Sequence, residues 1–161
     1  MLRLGTKEII MDLEQLTIRP AEAGDQPAWR ALWSQYCAFY EVTISDAVTI
    51  GTWARILDES SPVKALVAIN SVGEIVGFAN YVLHLHTWSE KTLCYLEDLF
   101  VAPEARGANT GYALIERLIE MGGANDWARV HWHTAADNTR ARRLYDRFIP
   151  ADNMVHYAVK M

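Results

Sequence analysis

Hydrophobic positions change their spacing several times along the chain, and each change predicts an element. Residues 16–20, LTIRP, read as a short strand stopped by Pro20. Asp25 followed by Pro27 predicts a helix start, and Trp29, Leu32, Trp33, Tyr36 and Tyr40 then recur at helical spacing. Ser45 or Asp46 begins a second helical pattern carrying Trp53, Ile56 and Leu57, which Ser60-Ser61-Pro62 ends. ALVAIN (65–70) and EIVGFANYVLHLH (74–86) read as strands joined by the turn Asn70-Ser71-Val72-Gly73. TLCYLEDLFVA (92–102) is a longer strand. A loop of small residues then leads into an amphipathic helix that Gly122-Gly123 are expected to stop. ARVHWHTA (128–135) reads as a strand, DNTRARRLYDRF (137–148) as a helix and MVHYAVKM (154–161) as a last strand. No repeat or low-complexity tract interrupts this order. The sequence β-α-α-β-β-β-α-β-α-β predicts one layered α/β domain over residues 16–161, with a mixed central β-sheet and helices on both faces.

Composition changes the picture only at its edges. The 15 basic and 20 acidic residues leave a formal charge of −5. That argues against nucleic acid or an anionic membrane as partner and mildly favours a cationic substrate. Cys37 and Cys94 form no CxxC pair and lie in apolar segments, so buried, reduced thiols in a cytoplasmic protein are expected. No apolar run approaches the ~20 residues of a membrane span. Residues 1–15 have neither the long apolar core nor the small-residue cleavage site of a secretion signal. They read as a tail, with Met11 a candidate native start.

The loop EARGANTGYA (104–113) carries the chemistry. A helix N-terminus leaves backbone N–H groups without partners and carries partial positive charge. Small residues ahead of it let an anion reach the backbone. Gly107, Asn109 and Gly111 suit such a cradle, because glycine and asparagine tolerate positive φ. Arg106 would add a charge-assisted contact to phosphate. The loop is neither a Walker A motif nor G-x-G-x-x-G, and the same glycines would equally serve a flexible strand-to-helix turn.

Read with its flanks, YLEDLFVAPEARGANTGYALIERL (95–118) resembles the signature of the GNAT superfamily of acetyl-CoA-dependent N-acetyltransferases. Arg106 and Gly111 match the ends of the pattern R-x-x-G-x-G/A, and Asn109 replaces its middle glycine. Asn138, Ala141, Leu144 and Tyr145 match a second stretch, N-x-x-A-x-x-L-Y. GFANYVLHLHTW ahead of YLEDLFV also looks like the diamine (spermidine/spermine) acetyltransferase branch, although Glu41 falls one position past the acidic residue expected there.

The resemblance implies acetyl-CoA as co-substrate, with no metal. It implies that Leu99, Phe100 and Val101 hold the acetyl-pantetheine arm, an amide of Phe100 or Val101 being the oxyanion donor. Arg106, Gly107, Ala108, Asn109, Thr110, Gly111 and Tyr112 would cradle the phosphates, and Asn138 would cap its helix or contact the cofactor. Tyr145 would be the general acid to the leaving thiolate, being protonated at neutral pH with an ordinary pKa of ~10. Its place on the stripe Ala141, Leu144, Tyr145, Phe148 equally suits core.

Glu97 and Asp98 sit mid-strand, where alternation sends them to opposite faces. Glu97 is expected to bind or deprotonate the acceptor amine, and Asp98 to form a structural ion pair. Phe39 and Tyr40, with Trp33 and Tyr36, are candidates for an aromatic wall of the acceptor pocket, able to hold an alkylammonium. His84 and His86, like His131 and His133, are same-face pairs spaced i, i+2. No third and fourth ligands are evident for zinc, so no metal is expected; His84 or His86 is a candidate base near the acceptor. The expected activity is direct acetyl transfer to a polyamine-like or amino-acid-like small molecule, with room for a homodimer. The alternatives are a non-catalytic acyl-CoA-binding module, a protein or peptide N-acetyltransferase, and an unrelated phosphate-binding enzyme.

Overall fold

A computed structural model describes residues 16–161, so the expected tail and the Met11 start lie outside the described residues. The elements are β1 (Thr17–Pro20), α1 (Gln26–Phe39), α2 (Asp46–Leu57), β2 (Val63–Ile69), β3 (Ile75–His86), β4 (Ser89–Val101), α3 (Thr110–Ala124), β5 (Arg129–His131) and α4 (Thr139–Tyr145). They form one sheet in the order β1-β2-β3-β4-β5. The first four strands are antiparallel neighbours and β5 lies parallel to β4. This is the mixed sheet that the sequence predicts.

Alternation in β2 and β3 supplies two apolar surfaces, which explains the two cores. On one face Trp29, Leu32, Trp53 and Ile56 of α1 and α2 pack on Ala65, Phe78, Phe100 and Ala102. On the other, Leu114, Ile115 and Leu118 of α3 cover Leu66, Ala79, Tyr81, Cys94 and Leu96. Trp29 is fully buried, and its indole N–H donates to Asn80 Oδ1 at 3.2 Å. Asp25 stands at the N-cap position of α1 as expected, but its carboxylate makes no capping bond: it pairs with Arg19 at 2.7 Å and accepts from the Glu22 amide. Ser45 does cap α2, its hydroxyl accepting from the Val48 amide.

Three expectations fail here. The segment 154–161 forms no strand, and Met154, Val155, Tyr157 and Val159 are exposed. A strand needs a ladder partner, and β5 is three residues long where 128–135 was expected, so an alternating pattern has no edge of matching length. Gly122-Gly123 do not stop α3, which continues to Ala124; the Asn125 amide and side chain both donate to Met121 O. Gly122 is there for packing, because a Cβ would lie 3.2 Å from Val130 and 3.3 Å from Trp127. Lastly, the β3–β4 register steps from Asn80↔Asp98 to Tyr81↔Leu96. Glu97 is the extra residue of a β-bulge, and simple alternation with Asp98 is lost.

Candidate active site

β4 and β5 pair only through Leu93–Tyr95 and Arg129–His131. Beyond Tyr95, β4 runs on to Val101 while the segment after β5, residues 132–135, leaves it, so the sheet splits into a cleft. Two cavities occupy it. The larger, of about 270 Å³, is lined by the end of β4, the loop into α3, and α4. Leu99, Phe100, Val101, Arg106, Gly107, Asn109, Thr110, Gly111, Tyr112, Asn138 and Tyr145 all line it, as do Phe39 and Tyr40. Ala108 does not. The smaller cavity, of about 170 Å³, is lined by Tyr36, Tyr40, Leu96, Glu97, Leu99, Trp132, His133, Thr134, Ala135 and Tyr145. Tyr40, Leu99 and Tyr145 belong to both. The two cavities therefore meet at Tyr145.

The loop at the head of α3 has the geometry of an anion nest. Gly107 lies at φ +93° and Asn109 at φ +59°, ψ 14°, the left-handed conformation expected of the family's middle glycine. No backbone amide from Gly107 to Tyr112 donates to another protein group among the described residues. Ala113 is the first to do so, to Asn109 O at 2.9 Å. Gly111 lets α4 approach, since a Cβ there would sit 3.0 Å from Leu144 Cδ2. This nest fits the diphosphate of coenzyme A in both charge and space.

Arg106 is committed elsewhere at its Nε, which donates to Val101 O at 2.9 Å, and its guanidinium lies over the Phe100 ring. Two cations not singled out in the sequence, Arg140 and Arg147, also line the larger cavity. Arg147 donates to Asn109 Oδ1 at 3.0 Å and stacks on Tyr112 at 4.2 Å. Their only sequence signal is the basic run in 140–147, which spacing cannot aim at a loop some 30 residues earlier. Asn138 serves as cap and lining together, its Oδ1 accepting from the Ala141 amide at 3.2 Å.

Burial pushes the Tyr145 hydroxyl up to about 12, with a smaller contribution from Tyr40, so it is protonated at neutral pH. The ring packs against Trp132, 5.5 Å between centroids. Dehydration first, and Asp98 second, raise the Glu97 carboxyl above its ordinary value. Asp98 faces α1, accepting from Asn80 Nδ2 at 3.0 Å. Burial raises its carboxyl too, while the Tyr36 hydroxyl and the Asn80 amide pull the other way. The arginine partner expected for Asp98 is absent: among the described residues it makes no ion pair. Tyr36 is raised strongly by burial and by Asp98. The aromatic wall continues through Trp33–Tyr36 and Tyr36–Tyr40 contacts at 5.3 and 4.8 Å.

His84 lines neither cavity; its ring meets His131 on β5 instead. The histidine at the smaller cavity is His133, whose Nδ1 lies 3.3 Å from the Tyr95 hydroxyl. Alternation along the strand 128–135 placed His133 with His131, but only the split of the sheet carries it to the cleft.

Comparison with known proteins agrees with this geometry. Residues 24–148 match the model of the acetyltransferase (GNAT) family. The chain is 29% identical over 145 residues to the D-amino-acid N-acetyltransferase HPA3 of Saccharomyces cerevisiae, covering 89% of this chain and 90% of that protein. Its fold superposes on a crystal structure of a probable acetyltransferase with a TM-score of 0.80 at 20% identity, over 90% of this chain and 97% of the other. It also superposes on the aminoglycoside acetyltransferase AAC(6')-Iy in complex with a CoA bisubstrate analog, at TM-score 0.75 and 18% identity, over 91% and 99%. A cleft between parted strands, an anion nest at a helix start and a family match spanning both place the chain in the GNAT family of N-acetyltransferases.

Proposed function

We propose that this protein transfers the acetyl group of acetyl-CoA directly to the amine of a small, amino-acid-like molecule. The observation that carries this reading is the junction of the two cavities at Tyr145. The larger cavity takes the co-substrate: the amides of the 107–112 loop and the cations Arg140 and Arg147 hold the diphosphate, and the open edge of β4 at Leu99–Val101 holds the arm. Acetyl-CoA supplies an activated acyl thioester. The amine approaches from the smaller cavity, whose acidic member Glu97 attracts the ammonium and, with its raised pKa, accepts its proton. The amide of Val101 donates to the developing oxyanion, since the ladder that pairs Ala102 with Val76 and Phe100 with Phe78 turns the Phe100 amide toward β3. Tyr145, still protonated, gives its proton to the departing thiolate.

The amino-acid-like acceptor is favoured over a polyamine by the D-amino-acid acceptor named for the yeast relative and by the cleft, where His133 lines the same cavity as Glu97 and offers a partner for a carboxylate. The test is calorimetric titration with acetyl-CoA and CoA, followed by thiol release with D- and L-amino acids, polyamines and aminoglycosides. One-site binding with turnover on amino acids is expected. Turnover confined to polyamines would overturn the acceptor class. Binding without thiol release for any amine would favour a non-catalytic acyl-CoA-binding module.

A further inference from the structure

Four histidines gather on the open end of the sheet, beside the cleft but mostly outside it. His84 and His131 rings lie 5.7 Å apart, His131 and His133 6.1 Å, and His133 and His156 5.4 Å. Tyr95 sits among them, 5.2 Å from the His131 ring. The acetyl transfer described above uses only His133 of this group.

We propose that His84 and His131 form a two-imidazole binding site for a divalent transition-metal ion of the zinc, nickel and copper class. Their Nε2 atoms face each other at 3.4 Å. Two tetrahedral nitrogen ligands bound at about 2.05 Å to one ion lie about 3.3–3.4 Å apart, so the gap matches the edge of a coordination tetrahedron. The His84 tautomer is also set for this. Its Nδ1 lies 2.9 Å from Leu85 O, and a carbonyl only accepts, so Nδ1 carries the proton and Nε2 keeps its lone pair. An imidazole whose far N–H is tied to a backbone carbonyl is the arrangement that orients metal-binding histidines.

The competing account is a hydrogen bond from His131 Nε2–H to His84 Nε2. At 3.4 Å it would lie beyond the usual range for an N–H donor, which ends near ~3.2 Å. Neutral imidazole suits zinc, nickel and copper and not the oxygen-seeking magnesium or calcium. Among the described residues no group of three or more His, Cys, Asp or Glu is placed to enclose an ion, so the remaining coordination positions fall to water or a small ligand. The topology gives the site a purpose. His84 is on β3 and His131 on β5, with β4 between them. A bound ion would clip the three-residue β5 to the long β3 at the point where the sheet begins to split.

The site does not depend on the acetyl-transfer reading, so the two can fail separately. The test uses tag-free, chelator-treated protein, titrated calorimetrically with zinc and nickel chlorides and with magnesium chloride as the control. The copper-loaded protein is examined by electron paramagnetic resonance. One equivalent of zinc or nickel, no magnesium, and coupling of copper to two imidazole nitrogens are expected. His84→Asn and His131→Asn should each weaken binding by at least roughly tenfold, the loss typical even of supporting groups around a metal. His133→Asn should leave binding in place. His84 is exposed, so its replacement leaves the fold intact, and circular dichroism in chelator checks the His131 variant. Absence of saturable zinc and nickel binding would overturn the proposal. So would equal binding by the His84→Asn protein, or loss on replacing His133 alone.

Discussion

Tyr145 and Asn109 show how much a single residue carries here. Tyr145 lies on a helix stripe that would suit plain core, yet it lines both cavities. Tyr145→Phe removes only the proton donor; kcat should fall about 10²-fold or more, the low end for loss of a positioned acid. Calorimetric affinity for acetyl-CoA should not change, and turnover equal to wild type would remove Tyr145 from the chemistry. Asn109 holds a left-handed backbone where the family pattern has glycine. Asn109→Ala should cost about 1–2 kcal/mol in denaturant unfolding, because alanine lacks asparagine's tolerance of that region. Asn109→Gly should keep the nest and the acetyl-CoA affinity while freeing Arg147 from its 3.0 Å contact. If alanine proved as stable as asparagine, the loop would have to adopt another conformation in solution.

At the scale of elements, the approach of β3, β4 and α3 depends on Gly77. A Cβ there would lie 2.9 Å from Phe100 O and 3.4 Å from Thr110 Cγ2, against a strand backbone and the first turn of α3 together. Gly77→Ala should therefore destabilise by about 1–3 kcal/mol, the usual cost of overpacking. It should also weaken acetyl-CoA binding, because the atoms it displaces belong to the end of β4 and the start of α3, which are proposed to hold the co-substrate. Thermal melts and calorimetry on the same variant check both; lost stability with unchanged affinity would separate Gly77 from the site. Most elements were legible beforehand because their apolar spacing is long and regular, as in α1 and β3. The last strand was not, because alternation in MVHYAVKM says that a strand is possible and nothing about which edge would receive it. The bulge at Glu97 was equally hidden, since an extra residue leaves no mark in a run of apolar and acidic side chains.

Across the whole molecule, the site exists because the sheet is buried on both faces near β2 and β3 and parted between β4 and β5. That arrangement dehydrates two neighbouring carboxylates. Asp98, with its raised carboxyl, is easier to protonate in the folded protein than in the unfolded chain. Below the ordinary carboxylate range both states are protonated and the penalty vanishes. As pH rises through the window from the unfolded value to the raised folded value, the folded state loses stability, and the full cost stands at neutral pH. Asp98→Asn should therefore melt higher than wild type at pH 7, with the gap closing as the pH falls toward ordinary carboxylate values. A variant that melts lower at every pH would show that the contacts of Asp98 with Asn80 and Tyr36 outweigh its burial.

Sequence alone determined what local chemistry can specify. Helical and alternating spacing set the order of elements as far as α4. Small residues ahead of α3 marked a turn able to leave its backbone amides open, and two short patterns carried the resemblance to the GNAT family. Tertiary structure alone decided which distant side chains share a space. It brought Arg140 and Arg147 to the nest, exchanged His84 for His133 at the cleft and set His84 against His131. It also turned Asp98 toward α1. The physical reason is that backbone preference is written residue by residue, whereas a site depends on register, bulges and the parting of strands. Those are settled only when the two cores pack.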